Sequence, residues 1–129
     1  MSAVLLDTHA WAWTIHASDR LSGTAREAIG AAEAVQVSPI SLYEIGQKTR
    51  AGKWPEMVPI VDRLPAILRE QGAFAAPLTA EICLAASTMD WPHRDPFDRL
   101  IAATAEALGL ALVTKDPAFA ERPGLTTIW

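Results

Sequence analysis

Four acidic residues stand where their carboxylates could converge on a cation. Asp7 closes the apolar run Val4-Leu5-Leu6 and precedes a stretch with helical spacing. Asp116 follows the run Leu110 to Val113 and the turn Thr114-Lys115. Glu44 comes early in the helical stretch that follows Val35 to Val37, and Asp98 sits near the start of a helix opened by Pro96. All four lie just after β-leaning runs or in helices leading from them, at the edge where open α/β sheets bind ligands. A pair of unit charges ~4 Å apart costs about 4 kcal/mol at an effective dielectric near 20, so such a cluster needs a positive partner. No dense Lys/Arg cluster stands beside each acid. Oxygen donors suit Mg²⁺ or Mn²⁺, and the chemistry implied is that of one or two divalent cations whose coordination is completed by water.

Each acid also has an ordinary explanation. Asp7 and Asp116 are good helix N-caps, the latter before Pro117, and Asp95 before Pro96 reads as N-cap followed by N1. For Asp95 that role suffices. Asp98 then falls at N3, where an acid favours the helix dipole and its side chain can still reach past the helix end. Glu44 can pair with Lys48 at i,i+4, although its neighbours Leu42, Tyr43 and Ile45 make it a carboxylate among packing residues. Convergence of the four, not any one of them, carries the expectation. His9, His16 and His93 form no recognisable acid/base pair and read as surface or packed residues.

The elements that must position these acids alternate. Ala3 to Leu6, Val35 to Val37 and Leu110 to Val113 read as buried parallel strands, with Phe74 to Pro77 and Leu125 to Trp129 as weaker ones. Helical spacing covers 8–17, 24–34, 41–52, 59–71, 79–88 and 96–108. The expectation is an α/β fold with a short parallel sheet of about four to five strands flanked by helices. Residues 51–59 and 90–95 are turns by their Gly and Pro content, too short to divide the chain, so 1–129 is read as one domain.

The chain has 129 residues, of which 50% are hydrophobic, enough for one continuous core. Its single cysteine, Cys83, excludes an internal disulfide and fits a reducing cytoplasm. No run approaches the ~18 apolar residues of a membrane span. The net charge of −4 lacks the basic character usual in proteins that grip nucleic acid, so a polyanion would have to be met locally. Lys48, Arg50, Arg94, Arg99 and Lys115, close in sequence to the acids, are the candidate phosphate contacts.

Four segments, LLDTHAW, SPISLYEIGQK, HRDPFDRLIAATA and LVTKDPAF, together resemble the PIN-domain toxins of bacterial VapBC toxin–antitoxin pairs, over nearly the whole chain. The resemblance implies a PIN fold, Mg²⁺- or Mn²⁺-dependent endoribonuclease activity, a homodimer and inhibition by a cognate VapB-type antitoxin. It places the family's acids on Asp7, Glu44, Asp98 and Asp116, with Asp7, Asp98 and Asp116 as metal ligands, and its hydroxyl residues on Thr8 and Thr114, which would orient an acid or a water. Water attack on phosphorus would leave 5′-phosphate and 3′-hydroxyl ends. RNA as the substrate rests on the resemblance alone, because the sequence has no aromatic stacking motif of an RNA-binding module.

Other readings fit less well. A haloacid-dehalogenase-type phosphatase needs a second Asp where His9 stands, a response receiver needs an acidic pair where Asp7-Thr8 stands, and no Gly-rich phosphate loop or GxSxG elbow occurs. A PIN-like module that binds without cutting is the remaining alternative. Trp11 and Trp13, two apart on a helix, point about 200° from one another, so Trp11 with Ile15 is expected inside and Trp13 outside. Trp13, with Trp54 in a Gly/Pro-rich turn, then suggests a partner surface.

Overall fold

The computed structural model describes residues 3–129; Met1 and Ser2 lie outside it. The strands are β1 (Ala3–Leu6), β2 (Ala34–Val37), β3 (Phe74–Ala75), β4 (Ala111–Val113) and β5 (Thr127–Ile128). The helices among the described residues are α1 (Thr8–His16), α2 (Gly23–Ala31), α3 (Pro39–Arg50), α4 (Leu64–Glu70), α5 (Ala80–Thr88), α6 (Pro96–Leu108) and α7 (Pro117–Ala120). All five strands are parallel, in the order β3-β2-β1-β4-β5.

That order creates the site. The chain builds outward from β1 through β2 to β3, then returns to the other side of β1 for β4 and β5. The sheet therefore reverses its winding between β1 and β4, and the connections leaving their carboxyl ends open a crevice there.

Alternation along the central strands divides the core. Val4, Leu6, Val37 and Val113 point to one face and pack with Trp11, Ile45, Met57 and Leu64. Leu5 and Leu112 point to the other and pack with Trp91, Ile101, Ala105 and Phe119. With both faces covered, β1 and β4 are continuous apolar runs, as buried parallel strands favour.

Three expectations are corrected. The helix expected over 59–71 divides into a 3-10 turn at Val61–Arg63 and α4, because Pro65 has no amide hydrogen and is accommodated only in a helix's first turn. The helix expected to reach residue 34 stops at Ala31, since Ala34 pairs in register with Ala3 of β1. Trp54 is not displayed by its turn: it is 8% exposed and stacks on His9 at 4.7 Å. Trp11 is fully buried as expected, its indole N–H donating to Gln71 Oε1 at 2.9 Å.

Candidate active site

Asp7 is the first residue past β1. Its amide donates to Val113 O at 3.1 Å, which extends the β1–β4 ladder by one bond and fixes the residue beside the end of β4. Its side chain does two things at once. Oδ1 accepts from Ala10 N at 2.8 Å, capping α1, while Oδ2 accepts from the Thr114 hydroxyl. Thr114 also takes the Asp116 amide at 3.0 Å, so this one hydroxyl positions the acids following both central strands. Capping and site-building are thus the same geometry, not rival explanations of Asp7.

Glu44 is 4% exposed on α3. It pairs with Lys48 at 2.6 Å, as the i,i+4 spacing implied, and also accepts from Thr8 Oγ1 at 2.7 Å. Since the single Thr8 proton goes to Glu44, Ser41 must donate to Thr8 across their 2.9 Å contact. The chain Ser41 to Thr8 to Glu44 ties α1 to α3.

Asp95 caps α6, accepting from Phe97 N at 2.8 Å and from Asp98 N at 3.3 Å. Asp98 is thereby placed at the helix's third residue, and His93 Nε2 meets its Oδ2 at 2.7 Å. The His93 ring packs against Trp91 and Phe119. Asp116 caps α7 through Ala118 N at 2.9 Å and remains exposed.

Asp7, Thr8, Glu44, Asp98 and Asp116 line one cleft of about 440 Å³, together with His9, Trp13, Lys48, Asp95, Lys115 and Pro117. His93, Asp98 and Asp116 each offer a ligand atom, all within 4.8 Å of one another. Asp7 lies outside that triad but close enough to feel it. Burial raises the Asp7 carboxyl to about 6, against the lowering pull of Thr114 and Ala10, and the charges of Asp98 and Asp116 add to the rise. Asp98 also rises to about 6, again chiefly by burial, with His93 opposing and Asp95 and Glu44 reinforcing. Burial is the main cause of both rises, and the cations in contact reach only Glu44 and, when protonated, Asp98. The carboxylate oxygens of Asp7, Asp98 and Asp116, with His93 Nε2 engaged by Asp98, fit Mg²⁺ or Mn²⁺.

The expected basic residues separate. Lys48 and Lys115 line the cleft. Arg94 faces a different groove between α5 and α6, beside Cys83 and Leu100, and Arg50 lies along α3 outside the cleft. Arg99 is corrected outright as a phosphate contact: its guanidinium donates to the carbonyls of Ala86, Met89, Trp91 and His93 at 2.6–2.9 Å. It clamps the α5–α6 connection and so holds His93 in place. His93 itself is a site residue that the sequence reading passed over, and its position two residues before the Asp95-Pro96 helix start was the available signal. A larger cleft of about 620 Å³ lies at the opposite, amino-terminal edge of the central strands, but its acid, Glu106, is engaged by Arg122.

Residues 4–125 match the family described as PIN domain. Ribonuclease VapC22 of Mycobacterium tuberculosis (strain ATCC 25618 / H37Rv) is 30% identical over 131 residues, covering 100% of both proteins. Among solved structures, VapBC2 from Rickettsia felis bound to a DNA fragment from its promoter aligns with a TM-score of 0.64 at 18% identity, over 97% of this chain and 96% of that one. FitAB bound to the IR36 DNA fragment aligns with a TM-score of 0.57, also at 18% identity, over 96% and 92%. The two structures speak for the fold, whereas the family match and the full-length relative speak for descent. This chain belongs to the PIN-domain family.

Proposed function

We propose that this PIN domain, spanning 1–129, is a divalent-metal-dependent endoribonuclease and the toxin of a toxin–antitoxin pair. The observation that carries the reading is the single cleft into which the β1–β4 crevice, α3 and α6 deliver Asp7, Asp116, Glu44 and Asp98. Support for RNA comes from the likeness to ribonuclease VapC22.

Asp7, Asp98 and Asp116 would hold Mg²⁺ or Mn²⁺, and His93 positions Asp98 through their 2.7 Å contact. A cation held there would supply activation of a water nucleophile and neutralisation of charge at phosphorus. Thr114 aims the Asp7 carboxylate, Thr8 aims Glu44, and Lys48 and Lys115 supply positive charge for phosphates flanking the scissile bond. The cytoplasm is the compartment proposed, and a VapB-type antitoxin and a second copy of the chain are the proposed protein partners, in keeping with the VapBC and FitAB likenesses.

The test is cleavage of a broad RNA panel with Mg²⁺ or Mn²⁺, with and without EDTA, beside Asp7→Asn. Expected are metal-dependent products with 5′-phosphate and 3′-hydroxyl ends from the wild type only. Equal cleavage in every tube, or none in any, overturns the nuclease reading, and the latter outcome leaves a module that binds without cutting.

A further inference from the structure

One wall of the acidic cleft is aromatic. Trp13 and His9, both on α1, line it beside Asp7 and Thr8, with Lys115 and Lys48 at its margin. The rings continue out of the cleft as a connected set from four places in the sequence. His9 stacks on Trp54, their planes 24° apart, and Trp13 meets Trp129. Lys48 Nζ lies 5.7 Å from the Trp54 ring centroid and Lys115 Nζ lies 5.9 Å from that of Trp13.

Trp13 differs from Trp54 in exposure and in its ring partners. Trp54 is buried and has a parallel partner in His9. Trp13 is partly exposed, and its ring neighbours are inclined to it, His9 by 60° and Trp129 by 58°, both at 5.8 Å. Among the described residues, no ring stacks parallel on Trp13. The indole is held from two sides, lines the cleft, and has Lys115 Nζ over its ring, a cation that suits a phosphate beside a stacked base. A flat π-face at that place matches an unpaired nucleobase, whose stacking on an aromatic side chain is tolerant of sequence.

We propose that Trp13 is the platform on which a nucleobase next to the scissile phosphate stacks, so that the cleft selects single-stranded RNA with an accessible base. This rests on the nuclease reading and deepens it. A base inside a duplex has both faces covered by its neighbours, so paired RNA cannot use the platform. The cleft volume of about 440 Å³ falls within the ~300–1,000 Å³ range of small-ligand sites and suits one nucleotide, its phosphate facing the acids.

The experiment is a binding comparison that needs no turnover. Fluorescein-labelled 2′-O-methyl oligoadenosine octamer and an octamer of abasic sugar-phosphate are titrated into the full chain in Ca²⁺, for the wild type, Trp13→Phe and Trp13→Leu. Leucine keeps apolar packing against Trp129 without a π-face, and thermal melting of each variant establishes that it is folded. The wild type is expected to prefer the base-bearing octamer by roughly 5- to 100-fold, Trp13→Phe to keep most of that preference, and Trp13→Leu to lose it while its affinity for the abasic octamer is unchanged. Equal wild-type affinity for both octamers overturns the proposal. So does a folded Trp13→Leu that discriminates as the wild type does, or one that loses only its affinity for the antitoxin, which would make Trp13 a protein-docking residue. Failure of the wild type to cut any RNA would strike the nuclease reading instead, since the octamer comparison is read without cleavage.

Discussion

Replacing Asp7 with asparagine should stabilise the metal-free protein at neutral pH while abolishing RNA cleavage. Asp7 is 7% exposed, and its carboxyl titrates at about 6 in the fold against 3.8 in an open chain. Each pKa unit is worth about 1.36 kcal/mol, so the ionised group weighs on the fold by about 3 kcal/mol at pH 7. The direction follows from proton binding. Between ~4 and ~6 the folded state holds a proton that the unfolded state has released, so stability falls as pH rises through that window, and the full penalty stands above it. Asparagine can still accept from Ala10 N and can turn its amide to the Thr114 oxygen, so the hydrogen-bonded frame is kept. A gain of about 1–3 kcal/mol is expected, the smaller end reflecting the desolvation of the amide itself. Urea unfolding in EDTA at pH 7.5 and at pH 4.0 measures it: Asp7→Asn gains at the first and is level with the wild type at the second. Equal destabilisation at both pH values would refute the view that this carboxylate is held against the interests of the fold.

Mg²⁺ at 100 times its dissociation constant should raise wild-type stability by about 2.7 kcal/mol in thermal melts, and less at pH 5, where protons compete for Asp7 and Asp98. Arg99→Lys should lower stability by roughly 2–4 kcal/mol in urea, because an ammonium cannot reach four diverging carbonyls and leaves several unsatisfied. Lys115→Ala should raise KM severalfold with kcat within about twofold, and make the salt dependence of RNA binding shallower by about 0.7 in log–log slope. Thr8→Val removes the hydroxyl donor to a buried Glu44, and should lower both kcat and stability, the latter by about 1–3 kcal/mol in the same unfolding assay.

What could be read from the sequence was whatever depended on local chemistry. Helix α6 runs over the residues expected of it because Asp95 caps it, Pro96 opens it and Gly109, at φ 64°, closes it in a conformation that other residues resist. The carboxyl ends of β1, β2 and β4 followed equally well from apolar runs meeting a polar residue, and four acids after those runs or in helices leading from strands pointed to one edge. Elements under tertiary control were less legible. The alanine-rich end of α2 has no local reason to stop at Ala31; pairing with β1 stops it. Trp54 looked exposed by its turn but finds His9, 45 positions away, and nothing near it announces that partner. Arg99 sat beside an acid and read as a phosphate contact, yet its four acceptors are carbonyls whose positions depend on how α5 meets α6. The extension of the aromatic wall was invisible for the same reason: His9 and Trp13 share a helix, but Trp54 and Trp129 join them only in the fold.

The bond from Thr114 to Asp7 spans 107 positions of sequence. At ~5–20 residues per second, a ribosome needs about 5–20 s after making the first acid to supply the hydroxyl that aims it. Through nearly all of that interval β1 has no β4 beside it; Asp98 is made late in it and Asp116 only after it. A half-made chain carries Asp7 and Glu44 without the acids that would complete their cleft. On the proposed nuclease reading, the strand order that sets β4 beside β1 also withholds the complete cleft from the emerging polypeptide, since the last arrivals supply half of the carboxylates.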